Sequence, residues 1–253
     1  MTEKRQNKRG IYILPSIFTT FALFAGFYSI VASINGDYIL AAISIMVAML
    51  WDTLDGRVAR LTNSQSAFGA EYDSLSDLVS FGVAPALLVY LWSLSDLGRI
   101  GWLAAFIYLT CAALRLARFN TQVGTADKRY FQGLPSPAAA GVIASMIWLK
   151  FWNFESLDIG VVSFSYYIGI AITIICGLLM VSNVRYFSFK EFDSKNKTSF
   201  RFLLLSVLSL ILLLYKPNIV LFTGFFIYML SGPIITMIGL YNKRNQKKQA
   251  KST

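Results

Sequence analysis

Five acidic residues fall in a short polar stretch between two strongly apolar segments: Asp52, Asp55, Glu71, Asp73 and Asp77. Asp52 and Asp55 are three residues apart, and Asp73 and Asp77 are four apart, so each pair shares one face of a helix. We predict a turn at about 62–66 between these two helices. A short turn makes the helices antiparallel, so the two pairs are expected to meet in one carboxylate cluster.

Such a cluster points to metal chemistry. Four carboxylates within a few ångströms repel one another and need a counter-charge to stay ionised. The chain contains no histidine and two cysteines, which lie in separate apolar segments, so a metal here must be held by oxygen. Hard divalent cations accept carboxylate oxygens, and Mg²⁺ and Mn²⁺ are the natural candidates. Two such ions would balance four aspartates.

The residues around the acids favour a phosphate site. Gly56, Ala59, Gly69 and Ala70 have small side chains that leave space beside the carboxylates. Arg60 adds a cation beside that space. A metal, an arginine and an open slot together are typical of a phosphate-binding site. Acids at a membrane edge can also be merely solvated, which suits the loop residues Asp37, Asp96 and Asp158 better than this paired set.

The elements that must position these acids are membrane helices. The chain has 253 residues, 56% of them hydrophobic, with a mean hydropathy of +0.57. Long apolar runs predict an all-α bundle, since a membrane barrel would show alternating segments of about 10 residues. We predict eight spans, at about 11–34, 38–59, 70–93, 100–120, 137–153, 163–184, 199–216 and 219–241.

The basic residues predict the orientation of these spans. The net charge of +10 could suggest nucleic-acid binding, but the positions of the charges argue against it. All but three of the 23 Lys and Arg residues fall on one side of the predicted topology; the exceptions are Arg99, Lys150 and Lys216. This asymmetry places both termini and the acidic stretch in the cytoplasm. The basic loops are expected to lie against anionic lipid headgroups.

The acidic stretch resembles the signature of a known family. Its pattern is Asp52-x2-Asp55-Gly56-x2-Ala59-Arg60-x8-Gly69-x3-Asp73-x3-Asp77. This pattern resembles the signature of the CDP-alcohol phosphotransferase family. The resemblance implies a six-helix membrane enzyme, often a homodimer, that binds CDP-linked substrates and two divalent metals at the cytoplasmic surface. Such an enzyme transfers a phosphate-bearing group to an alcohol and releases CMP.

The resemblance also implies roles for individual residues. Asp52, Asp55 and Asp73 would hold metal, and Asp77 would contact the second metal and act as the catalytic base. The residues expected to line the cytidine diphosphate are Gly56, Ala59, Arg60 and Gly69.

Further segments are similar to the phosphatidylserine synthase branch of this family, namely 73–86, 114–120, 131–140 and 179–190. Leu78 follows the last aspartate, where the phosphatidylglycerophosphate synthase branch usually has lysine. Ser16 stands near the start of the first helix, where the family commonly has asparagine. The resemblance therefore implies transfer of the phosphatidyl group of CDP-diacylglycerol to L-serine.

A serine acceptor needs a cation for its carboxylate. Arg115 and Arg118 are three residues apart near the cytoplasmic end of the fourth span, and Asn120 follows them. We predict that these residues bind the acceptor or a phosphate; the alternative for the two arginines is that they anchor the helix end at the cytoplasmic surface. Arg185 and Lys190 are further candidates at the cytoplasmic edge, and lipid anchoring explains them equally well.

The resemblance divides the chain into a basic tail (1–10), a catalytic membrane domain (11–190), a C-terminal transmembrane hairpin (191–242) and a second basic tail (243–253). The sequence does not predict a function for the hairpin. Three alternatives remain: a relative that uses another alcohol such as inositol or glycerol phosphate, a cation transporter, and a non-catalytic lipid-binding homologue. A transporter is expected to have internal repeats, and a non-catalytic homologue to have lost a signature aspartate; the sequence meets neither expectation.

Overall fold

A computed structural model describes residues 6–62, 64, 66–121, 130–153, 160–187 and 200–249, which are almost entirely helical. Its α-helices are α1 (Gln6–Ile34), α2 (Tyr38–Leu61), α3 (Ala67–Asp77), α4 (Ala84–Val89), α5 (Arg99–Thr121), α6 (Ser136–Asn153), α7 (Gly160–Val181), α8 (Phe200–Tyr215) and α9 (Pro217–Gln249). The prediction of an all-α membrane bundle is confirmed. The division into six core helices and two further helices stays a prediction.

Five helical segments within the described residues are long and apolar enough to cross a membrane: Pro15–Ile34, Tyr38–Leu61, Ala67–Leu97, Arg99–Thr121 and Pro217–Gly239. Tyr167–Val181 is a shorter apolar helix. The protein is therefore a multi-pass membrane protein. The third segment is continuously helical. Its α-helices α3 and α4 are connected by a π-helical turn at Leu78–Val83, and a second π-helical turn at Tyr90–Leu94 follows α4.

The turn between α2 and α3 lies where the sequence predicts it. α2 ends at Leu61, and Ser66 caps α3 by accepting a 3.0 Å hydrogen bond from the Gly69 amide. A serine side chain at this position satisfies one of the free amides at the helix start. The cap therefore fixes where α3 begins, and with it the register of the acidic residues that follow.

Helix α1 packs closely on the third segment. A Cβ at Gly26 would overlap Ser80, so glycine is required for this approach. The Ser80 hydroxyl donates to the Ala22 carbonyl at 3.1 Å, and the Ser76 hydroxyl donates to the Thr19 carbonyl at 3.2 Å. Small residues and hydroxyl hydrogen bonds are the usual means of joining helices in lipid. They hold α1 beside the acidic face of α3.

The core lies around α6. Its first half is rich in alanine, and Ala139, Ala140 and Ala144 are fully buried. Phe81 and Tyr108 fill the space next to it, and the Tyr108 hydroxyl donates to the Phe81 carbonyl at 3.0 Å. This bond ties α5 to the π-helical turn that follows Asp77.

Helix α8 ends at Tyr215 and α9 begins at Pro217, so the helices break where the sequence predicts a turn. The transmembrane hairpin at 191–242 stays a prediction. One feature is not predicted by the sequence. The strands β1 (Tyr130–Gln132) and β2 (Arg185–Phe187) form a short antiparallel pair. It joins the segment before α6 to the segment after α7, and a hydrogen bond from Arg118 to Gln132 connects it to the end of α5.

Candidate functional site

The structure brings three aspartates from two helices together. Asp52 and Asp55 lie in the last three turns of α2, and Asp73 lies on α3. Each offers a carboxylate oxygen, and these oxygens lie within 4.8 Å of one another. The antiparallel pairing expected from the sequence thus produces the carboxylate cluster. The arrangement could hold a metal ion.

Asp77 joins this cluster from one turn further along α3. Its carboxyl lies in hydrogen-bonding range of Asp52 and close enough to Asp73 for electrostatic repulsion. The guanidinium of Arg115, on α5, is near enough to attract it. Two carboxylates in hydrogen-bonding range need a proton or a cation between them. Asp77 is therefore a fourth carboxylate that needs a neighbouring positive charge, like Asp52, Asp55 and Asp73.

The burial of these groups tests whether a metal fits. Asp55 is only 5% exposed, and its Oδ2 accepts a 2.7 Å hydrogen bond from the Thr19 hydroxyl. The Oδ1 atom of Asp73 is buried and has no hydrogen-bond partner among the described residues. A buried acceptor without a partner costs free energy that a hard cation would recover. The donor set fits a divalent cation.

A cleft opens directly beside the cluster, with a volume of about 200 Å³. The residues that line it are Pro15, Ser16, Thr19, Asp55, Gly56, Ala59, Ser64, Ser66, Gly69, Ala70 and Asp73. It lies between the first part of α1, the end of α2 and the start of α3. A Cβ built on Gly56 would meet no atom within 4 Å, so this glycine faces open space.

Three of the four predicted nucleotide residues therefore line the cleft: Gly56, Ala59 and Gly69. The fourth, Arg60, is not among the lining residues, and its side chain is exposed. Their assignment to a nucleotide stays a prediction.

The sequence interpretation missed several cleft residues. These are Thr19, Ser64 and Ser66, which line its wall together with Ser16, the residue that stands where the family commonly has asparagine. The available signal was a threonine in an otherwise apolar segment, but its role depends on a partner far away in the sequence. The Ser64 and Ser66 hydroxyls at this wall could donate hydrogen bonds to phosphate oxygens, whereas the Thr19 hydroxyl already donates to Asp55.

Among the basic candidates that the structure describes, Arg115 lies beside Asp77. Its Nη1 donates to the Ser136 hydroxyl at 2.8 Å, while its Nε is buried without a hydrogen-bond partner among the described residues. The side chain also attracts the Asp77 carboxylate, and the Tyr108 and Tyr228 phenols lie near it. An unused, buried donor next to the cluster suits an anionic group of a ligand.

Arg118 is engaged by the protein itself. Its Nη2 donates to Gln132 Oε1 at 2.6 Å and to Asn183 Oδ1 at 2.7 Å. Its Nη1 donates to the Val181 carbonyl at 3.3 Å. These contacts tie α5 to β1 and to the end of α7. The predicted ligand contact of Arg118 stays a prediction.

The remaining candidates differ in their surroundings. Asn120 Oδ1 accepts a 3.2 Å hydrogen bond from the Ser74 hydroxyl, which links α5 to α3. The Arg185 side chain is exposed at the start of β2. Lys190 lies outside the described residues. For these residues too, ligand binding stays a prediction.

Comparison with known proteins identifies the family. Residues 12–181 match the family model described as CDP-alcohol phosphatidyltransferase. The chain belongs to this family. The matched segment contains all four clustered aspartates and the cleft that adjoins them, and it ends before β2, α8 and α9.

Individual members of the CDP-alcohol phosphatidyltransferase family are similar over most of the chain. A CDP-diacylglycerol–serine O-phosphatidyltransferase from Helicobacter pylori J99 is 36% identical over 230 residues, which cover 88% of this chain and 91% of that protein. A protein of the same description from Mycobacterium bovis is 37% identical over 189 residues, covering 71% and 65%. An archaetidylserine synthase from Methanothermobacter thermautotrophicus is 37% identical over 175 residues, covering 68% and 69%.

The contact between Thr19 and Asp55 leads to a first prediction. Thr19→Val keeps the side-chain shape but removes the donor that orients the Asp55 carboxylate. We expect the affinity for Mn²⁺ to fall about tenfold, because hydrogen bonds that orient metal ligands commonly contribute this much. The measurement is Mn²⁺ binding to the purified protein by electron paramagnetic resonance.

Thr53→Val is the matched control, since the exposed Thr53 hydroxyl donates to the Met49 carbonyl of its own helix at 2.8 Å. Equal Mn²⁺ affinity for the Thr19 variant and the unaltered protein would contradict the role of Thr19.

Proposed function

We propose that this protein transfers the phosphatidyl group of CDP-diacylglycerol to the hydroxyl of L-serine, giving phosphatidylserine and CMP. The observation that carries the proposal is the aspartate cluster at the wall of a cleft lined by Gly56, Ala59 and Gly69. The similarity to named serine phosphatidyltransferases over 88% of the chain supports serine as the acceptor.

Two divalent ions, Mg²⁺ or Mn²⁺, complete the proposed site. Asp52, Asp55 and Asp73 would hold metal, and Asp77 would contact the second ion. When bound, the ions neutralise the pyrophosphate of the substrate and polarise the phosphorus under attack. The Thr19 hydroxyl orients Asp55 for this task.

The cleft would take the cytidine diphosphate. Gly56, Ala59 and Gly69 leave room for the phosphates to approach the backbone. The hydroxyls of Ser64 and Ser66 lie on the same wall and can donate to phosphate oxygens. Arg60 would contribute charge from the rim, where its side chain is exposed.

Asp77 would act as the general base. It would accept the proton of the serine hydroxyl as the serine oxygen forms a bond to the phosphatidyl phosphorus. The bond from this phosphorus to the CMP oxygen breaks in line with the attack, and CMP leaves. Arg115, whose Nε is buried without a partner among the described residues, would bind the serine carboxylate near Asp77.

The proposal places this reaction at the cytoplasmic surface of the cell membrane, with both termini in the cytoplasm. The asymmetric distribution of Lys and Arg supports this orientation. CDP-diacylglycerol would reach the cleft from the bilayer, and serine from the cytoplasm. A catalytic domain at 11–190, membrane lipids and a second copy of the chain as a homodimer partner belong to the same proposal.

The direct test is CMP release by the purified protein in detergent, with CDP-diacylglycerol and Mg²⁺ or Mn²⁺. L-serine, inositol and glycerol 3-phosphate are added separately. We expect CMP release that depends on serine and is abolished by a chelator. CMP release with only inositol or only glycerol 3-phosphate would mean that this alcohol, and not serine, is the acceptor. Absence of release with every alcohol, from a folded protein that binds Mn²⁺, would overturn the proposal.

A second prediction tests the cleft. Gly56→Val is expected to leave the thermal stability unchanged, since a Cβ at Gly56 points into open space. The isopropyl group would occupy the volume assigned to the phosphates. We therefore expect KM for CDP-diacylglycerol to rise at least about tenfold, as for other losses of substrate fit worth about 1–3 kcal/mol. The measurement is KM from initial rates of CMP release.

Gly224→Val is the control for the cleft, because Gly224 lies on α9 and also faces open space. An unchanged KM for CDP-diacylglycerol in the Gly56 variant would place the nucleotide elsewhere.

A further inference from the structure

Helix α9 lies beyond the matched segment 12–181, yet it is joined to β2 by hydrogen bonds. The Tyr186 hydroxyl donates to the Met229 carbonyl at 3.0 Å, and the Tyr228 hydroxyl donates to the Phe187 carbonyl at 3.2 Å. The two rings also lie against each other, with their centroids 5.5 Å apart. A helix that only anchored the chain in lipid would not need such polar contacts.

Tight packing also holds β2 against α9. Tyr186 is fully buried, and a Cβ at Gly232 would overlap its ring. Burial raises the pKa of the Tyr186 phenol, so the hydroxyl keeps the proton that it donates to α9. One turn further on, the Arg185 amide donates to Thr236 Oγ1 at 3.2 Å. Three successive residues of β2 are therefore held by two turns of α9.

Hydrogen bonds connect the strand pair, and the residues that follow it, to the two arginines of α5. Arg185 of β2 pairs with Gln132 of β1, and Gln132 Oε1 accepts the 2.6 Å hydrogen bond from Arg118. Ser136, four residues after Gln132, accepts the 2.8 Å hydrogen bond from Arg115. Gln132 belongs to the strand pair and Ser136 begins α6 four residues later, so a shift of the strand pair would move the Gln132 acceptor of Arg118 and bear on the Ser136 acceptor of Arg115.

Helix α9 also comes near Arg115. The Tyr228 phenol lies in the neighbourhood of the Arg115 guanidinium, and the Asp77 carboxylate lies near the same group. Helix α9 packs tightly on α6 nearby, since a Cβ at Gly141 would lie 2.7 Å from the Phe225 ring. Arg115 is therefore held between the aspartate cluster and α9.

We propose that α9 is a positioning element of the acceptor site: through Gly232 and Tyr186 it holds the strand pair that orients Arg115 and Arg118 toward the serine carboxylate. This inference rests on the proposed function and assigns a role to a helix outside the matched family segment. Arg115 and Arg118 would contact the acceptor, whereas Gly232 and Tyr186 act through them.

The test is the Gly232→Ala variant of the full-length protein. Its new methyl group must displace the Tyr186 ring. We expect KM for serine to rise about tenfold, because a shift of the orienting groups by a fraction of an ångström weakens binding of a small ligand. KM for CDP-diacylglycerol should stay within about twofold, since the cleft residues lie on α1, α2, α3 and the turn between α2 and α3. Gly239→Ala is the matched control, because Gly239 lies on the same helix and faces open space.

Tyr186→Phe provides a second variant that removes one hydroxyl and keeps the ring. It should raise KM for serine less than Gly232→Ala does, and it decides the question if the glycine variant does not fold. Equal changes in both KM values, or no change in either variant, would overturn the role of α9. Failure of the unaltered protein with serine would instead overturn the proposed acceptor, and the same variants would then be compared with the alcohol that does release CMP.

Discussion

Asp77→Asn is expected to lower kcat for serine-dependent CMP release by about 10²–10⁴-fold, the usual contribution of a general base. Asparagine has nearly the same shape as aspartate, but its amide cannot accept the proton of the attacking hydroxyl. Asp77 lies in hydrogen-bonding range of Asp52 and within electrostatic reach of Arg115, so the polar contacts can persist in the variant. The measurement is the initial rate of CMP release at saturating Mn²⁺ and both substrates.

Two controls make this result specific. Asp37→Asn changes an exposed aspartate at the opposite end of α2 and should leave kcat unchanged. Mn²⁺ binding to the Asp77 variant separates a lost base from a lost metal. A variant that retains kcat within a few-fold would remove Asp77 from the role of base and leave Asp52, Asp55 and Asp73 as the acids to examine.

The cluster could be predicted because its geometry is local. Residues three and four apart share a helix face whatever the rest of the chain does. Once a short turn joins α2 to α3, the two faces can meet only near that turn. The 4.8 Å cluster of Asp52, Asp55 and Asp73 is the result.

Thr19 could not be predicted in the same way. Its partner Asp55 is 36 residues away in the sequence. A threonine in an apolar helix commonly bonds to a carbonyl of its own helix, as Thr20 does with the Ser16 carbonyl at 2.7 Å. Thr19 also lies 3.1 Å from the Pro15 carbonyl of its own helix. Only the packing of α1 on α2, which carries Asp55, decides which of the two threonines reaches the cluster.

The arginines show a similar limit. Their spacing predicts that Arg115 and Arg118 lie near one another on α5, but not what each one contacts. The contacts depend on the strand pair, which joins residues 130–132 to 185–187. Pairing over such a distance is set by the packing of α6, α7 and α9, and not by a local pattern. For this reason the sequence could not distinguish Arg118, bound by Gln132 and Asn183, from Arg115, whose Nε has no partner among the described residues.

Asp55→Asn is expected to change stability in opposite directions with and without metal. Without metal, the variant removes one of several mutually repelling carboxylates, so its melting temperature should rise. With Mn²⁺, it loses a ligand, and the affinity should fall by at least about 100-fold, at the upper end of the loss expected for an orienting partner such as Thr19. The stabilisation that bound metal gives to the folded state then disappears with it.

The measurement for Asp55→Asn is thermal unfolding of the purified protein in detergent, once with a chelator and once with Mn²⁺. With chelator, the unaltered protein should be less stable than the Asp55→Asn variant. With Mn²⁺, the unaltered protein should be more stable than the variant. Thr19 can still donate to the amide oxygen that replaces the carboxylate oxygen in this variant, so the fold itself is not expected to suffer. A variant that is less stable under both conditions would mean that Asp55 serves the packing of α1 on α2, because a structural role does not depend on the presence of the ion. The expected result is that the variant melts at the higher temperature with chelator and at the lower temperature with Mn²⁺. This reversal requires that the Asp55 carboxylate carry an unfavourable charge in the metal-free protein. A metal ligand in this cluster must have that property.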